Sequence, residues 1–477
     1  MPSYNAPGVY IQDVVSGSQT IEQLSSSVGM LIGVAKSGLV NVAQKIGSWT
    51  EYIEKYANGL ETPFDANNYL PYAVYGFFQN GGRELYIGNV KNGAQKATGT
   101  ATTSKIVATA LYEGAWGNGL KVTFVKNSAW SNTNKVYDVT VELGTSASAS
   151  ISEVLYAEVV DALNNNETIK KWATFAYGNG TDLDEESITL SGGSEGSALT
   201  DVQYIAALNM ADFIDDLTMI GIPGQTSNAV NDAIMSYCDN NGLFPILDLP
   251  VGTAVDAAKT YRKSISAFTG ALCYPWGKMY DPLTDGLKNV PTCGHVMGVY
   301  ARTIEDRGVF KAPAGVEAVV RGFVEMVTNL TATNLSTLNP IGVVCIVSRP
   351  NAGIVIWGAR SLNGADTTMR YVSDGLLNLN IKKSLYNGTQ FAVFEPNDEN
   401  LWSRVKTSCI AFLENLRQQG ALKGDADEAY YVTVDESNNT DDSINAGQLN
   451  IEIGYAPVKP AEFVIIKLAH SISSVSE

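Results

Sequence analysis

Residues 455–471 read YAPVKPAEFVIIKLAHS, and residues 3–17 read SYNAPGVYIQDVVSG. In the first stretch two prolines, Pro457 and Pro460, lead into the apolar run Phe463-Val464-Ile465-Ile466 and on to Leu468. In the second, Pro7 precedes Val9, Tyr10, Ile11, Val14 and Val15. Proline blocks helix continuation and keeps the approach extended, while β-branched and aromatic residues favour strand. Both ends therefore read as extended strands that bring no partner strand of their own. Such a strand carries unpaired N–H and C=O groups, which a protein either hides or uses. Use means β-augmentation, the addition of a strand to another chain's sheet. About five main-chain hydrogen bonds at roughly 0.5–1.5 kcal/mol each give one arm several kcal/mol. A head-to-tail contact of that kind generates rings or open helices.

The 477 residues are 45% hydrophobic, enough for two to four domains. No run approaches the length of a membrane span, so direct membrane insertion is not expected, and the N-terminus lacks the basic start and apolar block of a signal peptide. Synthesis in the bacterial cytoplasm is the matching expectation. Cys238, Cys273, Cys293, Cys345 and Cys409 lie far apart with no CxxC pair, which points to buried small apolar side chains rather than disulfides or zinc. The net charge of −17 argues against a nucleic-acid surface. An acidic run from Asp425 to Asp442, which includes Asp427, Glu428, Asp435, Glu436 and Asp441, reads as a solvated loop or a partner-binding face.

The pattern from residue 20 to about 90 is mixed α/β: a strand in VGMLIGVA, helices in SWTEYIEKYA and LPYAVYGFF, and a strand in ELYIGNV. Residues 96–200 turn to Thr, Ser, Gly and Asn with alternating strands such as LKVTFV and YDVTVEL, a β-rich insert. From 201 to 335, DLTMIGIPG, NAVNDAIMSYC, LFPILDLP, VDAAKTYRKSI and GALCYPW alternate strand and helix, favouring a parallel sheet with covering helices. After Asn339 the strands VVCIV, IVIWGA, FAVFE, AYYVTV and LNIEIGY surround one strong helix.

On a helical wheel Leu401, Trp402, Val405, Cys409, Phe412, Leu413 and Leu416 make an apolar stripe within about 120°. Asn397 or Asp398 can cap its start and Gly420 its end. Arg404 and Arg417 share the far side, a candidate docking face or ordinary solvated cations, and Lys406 lies nearer the stripe.

A search for chemistry ends without a catalytic, metal or cofactor site. The two histidines, His295 and His470, exclude a His-rich metal centre, and His295 sits in an apolar context that suits a structural ring. Gly192-Gly193-Ser194-Glu195-Gly196 matches the G-x-S-x-G nucleophile elbow, yet SGGSEGS is also an ordinary Gly/Ser junction. Gly277-Lys278 lacks the rest of a phosphate loop, and a calcium loop starting at Asp425 fails because Tyr430 stands where glycine is needed.

Taken together the motifs resemble the tail sheath family of contractile injection machines, which includes myophage tail sheaths, R-type bacteriocins and related phage-like particles. The resemblance runs through APGVY (6–10), SSVGMLIGVAKSG (26–38), SWTEY (48–52), YLPYAVYGFFQNGGRELYI (69–87) and GAWGNGLKV (114–122). It continues through YPWGKMYDP (274–282), VPTCGHVMGVYARTIEDRGVFKAPAG (290–315), VIWGARSL (355–362), FEPNDENLW (394–402) and IEIGYAPVKPAEFVIIKL (451–468). Where sheaths often carry Pro-Ser-Gly-His, this chain has Pro291-Thr292-Cys293-Gly294-His295.

The resemblance implies a mixed α/β fold with a discontinuous inner domain made from 21–95 and 336–456. A β-rich outer insert (96–200) and a βαβ-type insert (201–335) would lie between, with strand arms at 1–20 and 457–477. It implies hexameric rings stacked into a helix around an inner tail tube, arms exchanged between neighbours, and contacts with baseplate and tail terminator proteins in the virion tail or phage-like particle. No enzyme activity, cofactor or nucleic acid is implied. The helix after FEPND would face the tube, with Arg404 and Arg417, and more weakly Lys406, as docking residues. The rival readings are a static helical or shell-forming protein with the same arms, and a serine hydrolase using Ser194.

Overall fold

A computed structural model describes residues 20–57, 62–145, 147–180 and 183–467. The chain divides into two compact units, one spanning 25–379 and the other combining the N-terminal residues up to 24 with 380 onward. The arm residues Val9, Tyr10, Ile11, Val14, Val15 and Leu468 lie outside the described residues.

Six segments of the larger unit are apolar on both faces: GMLIG, LYIGN, MIG, FPILD, ALCY and VVCIV. A strand buried on both faces needs neighbours on both edges and helices above and below, which parallel pairing provides. One eight-stranded sheet results, in the order Gly353–Ile356, Val343–Arg349, Ala271–Tyr274, Phe244–Asp248, Met219–Gly221, Gly29–Gly33, Leu85–Asn89, Ala43–Ile46. Its six central strands are parallel. The two outermost strands are antiparallel to their neighbours.

This sheet crosses the boundaries drawn from the sequence. Gly29–Gly33 pairs with Met219–Gly221, and Ala271–Tyr274 pairs with Val343–Arg349, so the 201–335 segment supplies the middle of the sheet instead of a separate one. Residues 380–456, expected to complete the same inner domain, belong to the smaller unit.

Two helices meet at glycines. A Cβ on Gly294 of the helix Cys293–Arg307 would stand 2.5 Å from the Ala73 carbonyl oxygen of the helix Leu70–Gln79. One on Gly298 would overlap the Phe77 carbonyl, and one on Gly76 would overlap the His295 ring. The absence of side chains at these positions lets the helix backbones approach at van der Waals distance.

Residues 98–189 form two antiparallel sheets, one of Glu186–Thr189, Leu120–Lys126, Val136–Leu143 and Ala147–Leu155, the other of Thr98–Thr100, Val107–Ala110 and Ala173–Ala176. They enclose a separate core that includes Phe124, Tyr137, Leu163 and Trp172. All five cysteines are buried thiols outside any disulfide.

The sequence reading missed two long helices, and one expected strand is absent. Cys293–Arg307 is buried on nearly every side from Cys293 to Ala301, and Val372–Gly388 is buried all round over its first turns, so neither shows an amphipathic period. The expected strand FAVFE is a short 3₁₀ turn over Gln390–Ala392 followed by a bend in which Val393 and Phe394 are exposed. Its alternation of large and small residues serves no sheet.

Candidate functional site

The helix Glu399–Gln418 organises the smaller unit. Its buried residues are Leu401, Trp402, Val405, Ser408, Cys409, Phe412, Leu413 and Leu416, the expected stripe with one serine added. Asp398 caps the start, its carboxylate accepting the Leu401 N–H at 2.9 Å. Asn397 takes a different role: its oxygen accepts the Trp402 indole N–H at 2.7 Å and its amide donates to the Gln448 carbonyl at 2.9 Å. At the other end the Ala421 N–H reaches the Leu416 carbonyl and the Gly420 N–H reaches that of Arg417, with Gly420 at φ +85, a Schellman closure.

The three cations read as docking residues are each set beside an acid of the same unit. Arg417 donates twice to Glu414, at 2.8 and 2.7 Å, and Gln418 and the Tyr430 hydroxyl add further bonds to that carboxylate. These bonds, the Arg417 guanidinium first, hold the Glu414 pKa down to about 2. Arg404 lies 3.7 Å from Glu395 and over the Phe391 ring at 5.4 Å. Lys406 lies 3.8 Å from Asp435, beside a groove of about 570 Å³ lined by Trp402, Ser403 and Val434 among others. Arg404 and Arg417 thus do not form one bare basic face. The turn before the helix instead presents Val393 and Phe394 to solvent, the helix Val372–Gly388 presents Tyr386, and Phe394 holds φ +67, where a bulky residue is strained.

The roots of both arms are fastened to this unit. On the N-terminal side the Leu24 N–H donates to the Ser384 hydroxyl (3.1 Å), Asn380 donates to the Leu24 carbonyl (2.8 Å), and Ile21 is buried against Gly388. On the C-terminal side Lys423 N–H donates to Ala456 O (2.8 Å) and Val458 N–H to Ala421 O (3.0 Å). Beyond Pro460 the chain has no regular structure through residue 467. Phe463, Val464, Ile465 and Ile466 are 71%, 81%, 80% and 77% exposed. Nearby, Tyr430–Thr433 pairs antiparallel with Glu452–Tyr455, and neither strand has a second partner strand among the described residues. The sequence signalled the C-terminal arm through its prolines and apolar run, but the 20–24 anchor gave no signal beyond Ile21 and Leu24.

The rival chemistry does not assemble. Ser194 is held by two backbone bonds to Gln95, both 3.1 Å, and Glu195 accepts from the buried Lys91 ammonium at 2.6 Å and from the Ala115 N–H at 2.8 Å. The G-x-S-x-G stretch is a seam laid along residues 92–98 rather than a strand-to-helix elbow. His295 is fully buried, stacked on Phe323 at 4.0 Å, and burial lowers its pKa to about 3, so it is a neutral core ring. Among the described residues no three His, Cys, Asp or Glu side chains converge as a metal site, and no helix is long and apolar enough to cross a membrane.

Comparison with known proteins agrees with this geometry. Residues 197–362 match the family described as the phage tail sheath protein central domain, and residues 376–469 match the phage tail sheath C-terminal domain. The chain belongs to the phage tail sheath family, a family of structural proteins and not of enzymes. The tail sheath protein of Burkholderia phage BcepMu is 25% identical over 251 residues, which cover 50% of this chain and 51% of that protein. The tail sheath protein of Salmonella phage ViI is 23% identical, with 64% of this chain and 49% of that protein covered. The matched region thus spans about half the length of these curated relatives.

Among solved structures, the anti-feeding prophage helical sheath in its contracted state superposes with a TM-score of 0.63 at 22% identity, covering 98% of this chain and 100% of that one. The sheath complex of an extracellular contractile injection system, also contracted, gives 0.63 at 20% identity, covering 99% of each chain. The sheath tail protein of Desulfitobacterium hafniense gives 0.64 at 15% identity, covering 90% of this chain and 93% of that one. These likenesses establish the mixed α/β sheath fold.

Proposed function

We propose that this chain is the subunit of a contractile sheath, stacked as hexameric rings around an inner tail tube and joined to a baseplate and a terminator. The observation that carries the reading is the run Phe463–Ile466, four large apolar residues 71–81% exposed and already extended by Pro457 and Pro460. Burying each such side chain in a neighbour is worth about 1.5–3 kcal/mol, and the strand's backbone bonds add to that. A two-stranded sheet is marginal by itself, so the hairpin Tyr430–Thr433 with Glu452–Tyr455 is a natural acceptor for a neighbour's arm. With N- and C-terminal arms exchanged, subunits stay tied while their bodies rotate against one another. Contraction is then a repacking from a kinetically trapped arrangement to a better buried one, driven without nucleotide or metal.

The tube contact falls to the exposed side of Glu399–Gln418 and the turn before it. Arg404, Lys406 and Arg417 reach a tube by exchanging Glu395, Asp435 and Glu414 for acids of the partner, while Tyr386 and Phe394 add apolar area. The chain is made in the bacterial cytoplasm and ends in a virion tail or phage-like particle.

Negative-stain electron microscopy of the full-length protein, alone and with its tube protein, tests the reading. Hollow striated cylinders of uniform width are expected. Discrete globular particles with the arms intact would refute it, and cylinders of one fixed length and pitch under every condition would favour a static shell. Charge reversal at both Arg404 and Arg417 is expected to leave free sheaths intact and abolish assembly on tubes.

A further inference from the structure

A subunit that assembles head to tail needs two unlike surfaces that fit one another, and the 25–379 unit carries such a pair. The first is a knob. Phe213 lies in the turn that ends the helical run of Asp201–Ala207 and Leu208–Ala211, and it is 94% exposed. Val202 and Ile205 are exposed as well, three residues apart on one side of Asp201–Ala207. The knob is acidic. Asp212 accepts the Tyr237 hydroxyl at 2.7 Å, and Asp215 is exposed with no partner among the described residues.

The second surface is a hollow of about 200 Å³ at the C-terminal end of Cys293–Arg307, closed by the loop through Lys311, Pro313 and Glu317. Arg302 lines it, holding the Asn80 and Val319 carbonyls at 2.9 Å each. Arg307 pairs with Glu317 at 2.7 Å. Arg321 stands beside Arg302: burial, and then the Arg321 charge, hold the Arg302 guanidinium below its ordinary pKa. Arg321 is exposed and its guanidinium has no partner among the described residues. Arg302, Arg307, Lys311 and Arg321 outnumber Asp306 and Glu317, so the rim is net positive, and Ala312, Pro313 and Ala314, with exposed Val316 in the same loop, supply apolar contact.

We propose that Phe213 of one copy seats in the Arg302–Glu317 hollow of a second copy of this chain, with Asp215 of the first pairing with Arg321 of the second. The contact rests on the sheath reading, because only a polymer uses a knob and a hollow on unlike faces. Charge selects the occupant: an acidic aromatic tip fits a basic hollow, and both are on this chain. The hollow is about the size of one aromatic side chain, so the contact is specific in register and complements the arms, which tether subunits without orienting them.

The test uses the full-length chain. Its own cysteines are all buried, so thiols introduced as D215C and R321C in one chain are the reactive pair. A short bismaleimide added after assembly is expected to give a ladder of covalent oligomers, absent from either single variant. In parallel, D215K and R321E are each expected to reduce the pelleted polymer at least tenfold, and the double variant D215K/R321E to restore it. Cylinders in the microscope without a ladder, or without rescue in the double variant, would overturn the contact while leaving the sheath reading standing. A wild-type protein that forms no oligomer would overturn both.

Discussion

The strand Val343–Arg349 and the arm segment Phe463–Ile466 are made of the same kinds of residue and end in opposite surroundings. Val343, Val344, Cys345 and Ile346 are fully buried between neighbouring strands, while Phe463, Val464, Ile465 and Ile466 are 71–81% exposed. What separates them is the supply of edges. Val343–Arg349 finds Ala271–Tyr274 on one side and Gly353–Ile356 on the other, whereas the arm is held by 421–423 only as far as Val458, and Phe463–Ile466 have no partner strand among the described residues. An apolar run specifies burial, but not in which chain the burial occurs.

The largest expected effect cuts this comparison in two. Ending the chain after Ala461 is expected to abolish cylinder formation completely while changing the stability of the subunit by less than about 0.5 kcal/mol, since Phe463, Val464, Ile465 and Ile466 are 71–81% exposed in the monomer. Sedimentation velocity and chemical denaturation read the two halves. If the truncated chain still forms cylinders, the arm is not the tie.

Paired single substitutions sharpen the contrast. Ile346→Ala is expected to cost about 2–5 kcal/mol by leaving a cavity in the sheet, and Ile465→Ala to leave the monomer's unfolding curve in place but weaken assembly. A comparable loss of stability at both positions would mean the arm already packs in the free subunit. Between the helices, Gly298→Ala is expected to destabilise by about 1–3 kcal/mol because the added methyl meets the Phe77 backbone, which cannot turn aside. Thermal melting gives that value.

The last contrast is a difference in pH response between interior and surface, which vanishes under conditions where neither group titrates. Asp248 is fully buried at the start of Cys293–Arg307, where it accepts the Thr292 and Cys293 N–H groups at 3.1 and 3.0 Å, and burial raises its pKa to about 6. A carboxyl whose folded pKa is raised favours folding below its unfolded value. Its contribution is therefore lost as pH rises from about 4 to about 6, by up to about 3 kcal/mol. Glu414 behaves in the opposite sense: its contribution is present above the ordinary Glu pKa and lost as pH falls toward about 2, weakly and with salt dependence because it is exposed. The difference in unfolding free energy between wild type and D248N, measured from pH 4 to 7, should slope downward and then level. A flat difference would mean Asp248 titrates normally.

Much of the fold was legible where burial is one-sided or where strand and helix alternate. The stripe from Leu401 to Leu416, the Asp398 cap and the Gly420 closure follow from periodicity and turn chemistry. The alternation from Met219 to Tyr274 foretold the parallel sheet. Periodicity fails where all sides are buried, as in Cys293–Ala301 and the first turns of Val372–Gly388. It also cannot order the strands of a sheet woven from three distant segments. At the candidate site, the wheel placed Arg404 and Arg417 on one side but was blind to Glu395, which comes from the preceding turn, whereas Glu414, three residues before Arg417 on the same helix, was readable from spacing alone. The knob at Phe213 had no signal, because a single aromatic between aspartates looks like any loop.

The two arm roots lie in one unit, at residues 20–24 against Asn380 and Ser384, and at 456–458 against 421–423. In mechanical terms, under the proposed strand exchange a pull on either arm is taken up first by this one unit, whose own sheet is the pair Tyr430–Thr433 and Glu452–Tyr455, and not by the unit that holds the eight-stranded sheet.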